Sequence, residues 1–162
     1  QKSGGSVIGI GKIEDIFTKS GITHAIHTGS NTEGLNLTLD AITGKMDLDK
    51  IATLGAENPD KSLIFTNLVD TDMLYGHRND YKGYGKAIEE IDTYLPKFID
   101  AMTDEDLLII TADHGCDPTV PGTDHTREMV PLIIYDGINK GNLGEITGFN
   151  YVSKRCLEWL CI

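Results

Sequence analysis

Five short apolar runs, at residues 7–10, 22–27, 63–69, 107–110 and 131–135, set the first constraint on this chain. Each is rich in β-forming residues, and several are apolar almost without a break. Strands of that kind suit a parallel sheet covered on both faces. The segments between them follow helical spacing instead. Ile13, Ile16 and Phe17 begin one such segment, which runs to Ser20. Leu35, Leu39 and Ile42 mark one face of a helix over 31–42. Residues 47–54 suggest another short helix, stopped near Gly55. Over 85–102, Ala87, Ile88, Ile91, Leu95, Phe98, Ile99 and Met102 recur at three- and four-residue intervals, the clearest helical pattern in the chain. Pro96 should kink that helix or end its first part. Val152, Cys156, Trp159 and Leu160 point inward from a closing helix over 151–162, and the glycines of 137–148 make a loop or short hairpin before it. The alternation predicts an α/β fold, a three-layer sandwich in which all five runs share one mostly parallel sheet.

At 162 residues the chain is read as a single domain spanning 1–162. Apolar residues make up 40% and charged residues 24%, a globular profile. No apolar stretch approaches the ~20 residues that a membrane span needs, and the start of the chain has no apolar core of the signal-peptide kind. A net charge of −11 argues against broad binding to nucleic acid or anionic membrane. It leaves room for an anionic substrate, because a bound metal reverses the sign locally. The three cysteines, Cys116, Cys156 and Cys161, form no C-x-x-C pair, which suggests reduced thiols and a cytoplasmic setting. Cys156 and Cys161 read as core filler. The chain opens on Gln1 without Met, so a piece of something longer is expected.

Two polar clusters directly follow buried runs, where open α/β sheets collect their ligands. The first spans 70–80 and contains Asp70, Asp72, His77, Arg78, Asn79 and Asp80. The second begins with Asp113-His114-Gly115 and continues through Asp117-Pro118-Thr119 to Gly122-Thr123-Asp124-His125-Thr126-Arg127-Glu128. Three of the five histidines therefore gather at strand ends. Carboxylates beside imidazoles on several loops suit Zn²⁺ or Mn²⁺. Two such sets close together suit a pair of ions ~3.5–4 Å apart, as used in phosphoryl transfer. Plainer readings stand beside these. Asn79 or Asp80 can simply cap the next helix. His24 and His27 alternate with apolar residues and read as structural strand residues. Cys116 has no pairing partner and is a poor candidate thiolate ligand.

The stretch from Asn67 to Asp80, with an Asp a few residues ahead of Gly76-His77-Arg78, resembles a phosphopentomutase signature. Ala112 to Thr119 and Gly122 to Glu128 are similar to the other two signatures of that family. The opening from Val7 to Phe17 and Asn31-Thr32-Glu33-Gly34 resemble it as well, in the same order. The likeness extends from about Val7 to Tyr135. Phosphopentomutases belong to the alkaline phosphatase superfamily, so the resemblance implies an alkaline phosphatase-like core. Asp-His-Gly alone fits the wider superfamily. The runner-up is a cofactor-independent phosphoglycerate mutase-like enzyme or another metal-dependent phosphohydrolase. A rival from a different class is a non-catalytic metal-binding fragment.

The resemblance implies an isomerase with two Mn²⁺, or other divalent metals, in the complete enzyme. Asp72, His77 and His125 would ligate one ion, and Asp113 and His114 the second. The family's further Asp ligand, its nucleophilic Thr and its mobile cap have no match here. The resemblance therefore implies the C-terminal part of a catalytic core, with the N-terminal segment and cap domain of the same enzyme missing and no nucleophile in this chain. The implied reaction interconverts the 1- and 5-phosphates of ribose or deoxyribose through a phospho-threonine. Arg78 and Arg127 are candidate phosphate contacts, since a guanidinium meets phosphate bidentately. Ion pairs to Asp80, Asp124 or Glu128 are the plainer alternative for both.

Overall fold

A computed structural model describes residues 5–48, 51–55 and 61–161. The element order is β1 (Ser6–Ile10), α1 (Ile13–Ile16), β2 (His24–Ile26), α2 (Asn31–Ile42), β3 (Ala52–Thr53), β4 (Ser62–Thr66), α3 (Tyr81–Ala101), β5 (Leu108–Thr111), β6 (Leu132–Tyr135) and α4 (Asn150–Leu160). Four strands form one sheet in the order β3-β2-β1-β4. β1 is parallel to both neighbours, and only the short β3 runs antiparallel. The sheet is thus mixed and mostly parallel.

Register explains the layering. Ile8 lies opposite His24 and Ile64, and Gly9 opposite Ala25 and Phe65. Opposed residues project to the same side of a sheet. Val7, Gly9, Ala25 and Phe65 therefore share one face, where Ile13 of α1 packs with Ile22, Ala25 and Val7. The Phe17 and Phe65 rings lie 5.9 Å apart there. On the other face α2 rests on β1 and β4, with the Thr38 and Thr66 hydroxyls 2.6 Å apart. Leu35 of α2 then meets Tyr94 and Phe98 of α3, with Leu39, Ile42, Leu68, Ile91 and Leu95 around them.

The five apolar runs do not share one sheet. β5 and β6 form a separate antiparallel pair, with Leu108 opposite Tyr135 and Thr111 opposite Leu132. A parallel pair needs a crossover, but this connection folds back on itself. Gly115 bridges Thr126 in antiparallel fashion, and the Thr126 amide donates to the Gly115 carbonyl at 3.1 Å. The link between β5 and β6 is therefore a long hairpin, and a hairpin returns its second strand antiparallel.

Other differences are local. The short helix expected over 47–54 gives way to β3 at Ala52–Thr53, paired with β2, and residues 49 and 50 lie outside the described residues. The strand expected over 63–69 stops at Thr66. The helix expected over 13–20 stops at Ile16, because Thr18 and Lys19 adopt positive φ. The long helix α3 starts at Tyr81, four residues before the expected start, and it continues through Pro96 without ending. Residues 137–148 form a loop, and Ile162 lies outside the described residues.

Helix α4 ties the two sheets together at the ends away from the polar clusters. The Arg155 guanidinium lies 4.0 Å from Asp136, just past β6. The Trp159 indole donates to the Glu105 carbonyl at 2.8 Å, shortly before β5. Lys61, immediately before β4, donates its ammonium to the Leu160 carbonyl at 2.6 Å. A lysine at that place satisfies a last-turn carbonyl and complements the negative end of the helix.

Candidate metal centre

The loop after β4 is anchored to the start of α2. The Asn31 amide donates to Asp70 Oδ2 at 2.8 Å, and the Asp70 amide donates to Asn31 Oδ1 at 3.0 Å. From that anchor the chain makes a π-helical turn over Thr71–Tyr75 and a 3₁₀ turn over Gly76–Arg78. Widened turns of this kind recur at functional sites. Asn79 then takes a left-handed conformation, φ 52°, and donates its side-chain amide to the Val120 carbonyl at 2.7 Å. Asp80 caps α3 by accepting from the Gly83 amide at 2.9 Å. The capping reading therefore holds for Asp80.

Two glycines let the loops approach. A Cβ on Gly76 would collide with Cys116 Sγ and stand 3.0 Å from the Thr71 carbonyl oxygen. A Cβ on Gly115 would stand 2.7 Å from both the Thr126 carbonyl oxygen and the Glu128 nitrogen. The first glycine seats the 113–116 loop on the Asp72 turn. The second allows the hairpin to close and carry His125 back over His114.

The result is a continuous cluster. His77 Nε2 and His125 Nε2 each lie 3.2 Å from Asp72 Oδ1. The His125 ring stacks on His114 with centroids 3.6 Å apart, and the His77 and His125 centroids are 4.9 Å apart. His114 Nε2 is 3.6 Å from Asp113 Oδ1, on a carboxylate whose side chain is 73% exposed. These contacts link all five residues named from the sequence. Ligand atoms of Asp72, His114 and His125 fall within 4.8 Å of one another, so His114 stands nearer the Asp72 set than a clean division into two sets implies.

The donor chemistry fits a divalent cation. Asp72 Oδ1 is buried and has no hydrogen-bond donor, although two imidazole nitrogens stand beside it. His77 Nδ1 lies against the Thr123 carbonyl, and His114 Nδ1 is 3.1 Å from the Gly115 carbonyl. A carbonyl only accepts, so each Nδ1 carries the proton and each Nε2 is left to face the cluster. Two donors each ~2.1 Å from one ion stand ~3.0 Å apart at a right angle and ~3.4 Å apart at the tetrahedral angle. The 3.2 Å spacings around Asp72 Oδ1 lie between these values. The surrounding field is negative. Burial, and then Cys116, Asp72, Asp117 and Glu128, push the Tyr84 phenol up from its ordinary value. Burial, and then Asp72, Glu128 and Asp117, push the Cys116 thiol up.

Other residues have separate settings. His24 is buried in β2 with Nδ1 3.4 Å from the Thr53 hydroxyl. His27 pairs with Glu14 at 2.7 Å. Arg78 donates to the Met73 carbonyl at 3.4 Å, Arg127 is exposed, and neither forms an ion pair among the described residues. The Thr123 carbonyl, the Asn31–Asp70 anchor and the Thr126–Glu128 hydrogen bond were not foreseen. Thr123 lies within a motif read for its histidine, and a backbone carbonyl leaves no mark in a sequence.

A family model described as the Metalloenzyme superfamily matches residues 5–161. The chain belongs to that superfamily. As a member of it, the chain is similar to several curated phosphopentomutases. One from Caldanaerobacter subterraneus subsp. tengcongensis is 54% identical over 135 residues, 83% of this chain and 31% of the relative. One from Anaeromyxobacter sp. strain K is 50% identical over 159 residues, 98% of this chain and 37% of the relative. One from Alkaliphilus oremlandii is 47% identical over 142 residues, 88% and 33% respectively. The chain spans about a third of the length of these relatives. Membership of the superfamily and the Asp72, His114 and His125 group together point to divalent-metal binding. No helix among the described residues is long and apolar enough to cross a membrane.

Proposed function

We propose that this chain is the metal-binding, C-terminal part of a phosphopentomutase, an isomerase that interconverts pentose 1- and 5-phosphates. The observation that carries the reading is Asp72 Oδ1, buried without a donor and flanked by two imidazole nitrogens at 3.2 Å. The relatives named phosphopentomutase favour the pentose phosphate over the phosphoglycerate substrate of the runner-up.

Asp72, His77 and His125 hold one ion, and Asp113 and His114 reach the second from the opposite loop. Two Mn²⁺ would supply positive charge where a transferring phosphoryl group gathers negative charge. The Thr123 carbonyl fixes the ring of His77, and the stacked His114 fixes that of His125. Arg127, exposed and unpaired among the described residues, and Arg78 lie close in sequence to those histidines and would meet a phosphate. The nucleophilic Thr, a further Asp ligand and the cap come from the rest of the enzyme, which works in the cytoplasm on a sugar phosphate. Alone, this chain acts as a metal-binding module.

The test uses His125→Ala in the whole enzyme, with His24→Ala as control. His125→Ala should lower bound Mn²⁺, measured by elemental analysis, and cut turnover by several orders of magnitude. Its melting temperature, taken metal-free, should stay near that of the parent because His125 lies in an exposed loop. His24→Ala should lower the melting temperature and leave the metal content alone. Full Mn²⁺ content and full activity in His125→Ala would overturn the reading.

A further inference from the structure

Two of the proposed ligands stand on opposite arms of the hairpin between β5 and β6. His114 lies on the outgoing arm and His125 on the returning one, and their rings stack with centroids 3.6 Å apart. Under the function proposed above they serve different ions, so the register of the two arms sets the spacing of the two metal sets. A short hairpin takes its register from its turn. Here a long loop separates Gly115 from Thr126, and contacts between the arms have to set the register instead.

Thr126 makes those contacts with both its amide and its hydroxyl. The amide donates to the Gly115 carbonyl at 3.1 Å. That carbonyl also accepts from His114 Nδ1 at 3.1 Å, so one oxygen registers the hairpin and holds the His114 ring. The hydroxyl accepts from the Asp117 amide at 2.7 Å and donates to the Glu128 carboxylate. A hydroxyl can accept and donate at once, and this one thereby ties the outgoing arm to the returning one. Glu128 reaches the outgoing arm itself, since its Oε2 would stand 2.7 Å from a Cβ on Gly115. Thr126 is half-buried and follows His125 directly, so what fixes its backbone fixes the base from which that ring projects. Thr119 supplies a contrast. Its hydroxyl donates to Asp117 Oδ1 at 2.7 Å and closes only a local turn within the loop.

We propose that Thr126 is a positioning residue for both imidazoles: its amide fixes the carbonyl that orients His114, and its hydroxyl fixes the arm that carries His125. It acts on a bound cation only through the two rings. The link to metal rests on the function proposed above. The effect on the rings rests on the hydrogen bonds alone.

The experiment compares Thr126→Val, Thr126→Ser and Thr119→Val in this chain, first metal-free and then with Mn²⁺ alone. Valine keeps the branched shape and the amide and loses only the hydroxyl. In the metal-free chain, nitrogen-edited NMR of the imidazoles reads each ring. Thr126→Val should speed exchange of the His114 Nδ1 proton about tenfold or more, the response of a local opening, and should shift the ring signals of His114 and His125. The His27 signals, from a ring paired with Glu14, should not move. Thr126→Ser should restore the parent's signals, and Thr119→Val should leave them as they are. In calorimetric titrations Thr126→Val should weaken Mn²⁺ binding about 10–100-fold, as the loss of an outer partner of metal ligands does. Thr126→Ser and Thr119→Val should bind as the parent does. Parent-like histidine signals in Thr126→Val, no rescue by Thr126→Ser, or an equal disturbance from Thr119→Val would overturn the proposal. Glu128→Ala, a change at an exposed residue, carries the same test if Thr126→Val fails to fold. It should disturb the same two rings, and undisturbed rings there would be equally fatal. A parent that bound no Mn²⁺ would count against the function proposed above, while the metal-free signals decide the role of Thr126 separately.

Discussion

Gly115 works at the residue scale by having no side chain. Besides the Glu128 carboxylate, the obstruction a Cβ would meet there is backbone on the far arm of the hairpin, which cannot rotate away. At Gly76 part of the obstruction is the Cys116 side chain, which can be shortened. Gly115→Ala should therefore cost about 1–3 kcal/mol, the range for overpacking, and should loosen the contact between His114 and His125. Gly76→Ala should be partly rescued by Cys116→Ala, while Gly115→Ala should not. Urea unfolding of both glycine variants, alone and each combined with Cys116→Ala, with Mn²⁺ titrations alongside, checks this. At this scale the candidate cluster was legible wherever its members are acidic or imidazole side chains. Asp72, His77, Asp113, His114 and His125 stood out as polar residues at strand ends, their ligand roles were implied by the family resemblance, and the structure gathers them into one cluster. The close stacking of His114 on His125 was not legible, because it depends on a hairpin closing between residues 115 and 126, and nothing in a local pattern encodes that closure.

Helices α2 and α3 pack through Leu35, Tyr94 and Phe98, none of which belongs to the candidate metal cluster. Phe98→Ala should cost about 3–5 kcal/mol of stability, as large-to-small changes in cores do, and leave the metal stoichiometry of the folded protein intact. Denaturant melts and elemental analysis separate the two effects. The end of β6 adds a pH-dependent element. Asp136 accepts from the side chain and backbone of Asn139 and from the Ile138 amide, and these bonds lower its carboxyl from 3.8 to about 2. A lowered folded pKa gives stability that is complete above the unfolded value and is lost as the pH falls through the folded one. The melting difference between the parent and Asp136→Asn should therefore be steady at neutral pH and shrink between about pH 4 and 2. A difference unchanged at pH 2 would contradict that assignment. At this scale the apolar runs were legible as strands because burial selects β-branched and aliphatic residues. Their partners were not, since an apolar run records that it is covered and not which edge it meets. β3 was missed because Ala52–Thr53 is two exposed residues with no periodicity to read. The start of α3 was obscured by Gly83 and Gly85, which weaken a helical pattern that Asp80 nonetheless caps.

The whole molecule places its candidate metal-ligating side chains on one rim and helix α4 on the other. If the nucleophile lies in the rest of the relatives' length, as proposed, this chain should show no phosphopentomutase turnover, although it should still bind divalent cation. Turnover assays on material free of the complete enzyme, with calorimetric Mn²⁺ titration, test both halves of that statement. The distance between the rims has a mechanical side. β4 and β5 are each about 15 Å long at ~3.3 Å per residue, and α4, bonded to residues just before each, would be the pivot of any relative tilt. A relative tilt of about 5° there becomes a displacement of about 1.3 Å at the opposite rim, a misplacement of the size that costs ~10²-fold in catalysis. Lys61, Glu105 and Asp136 thus set the gauge of a metal centre that none of them touches, and wear in that hinge would be felt first as a mismatch in the spacing between Asp72 and His114.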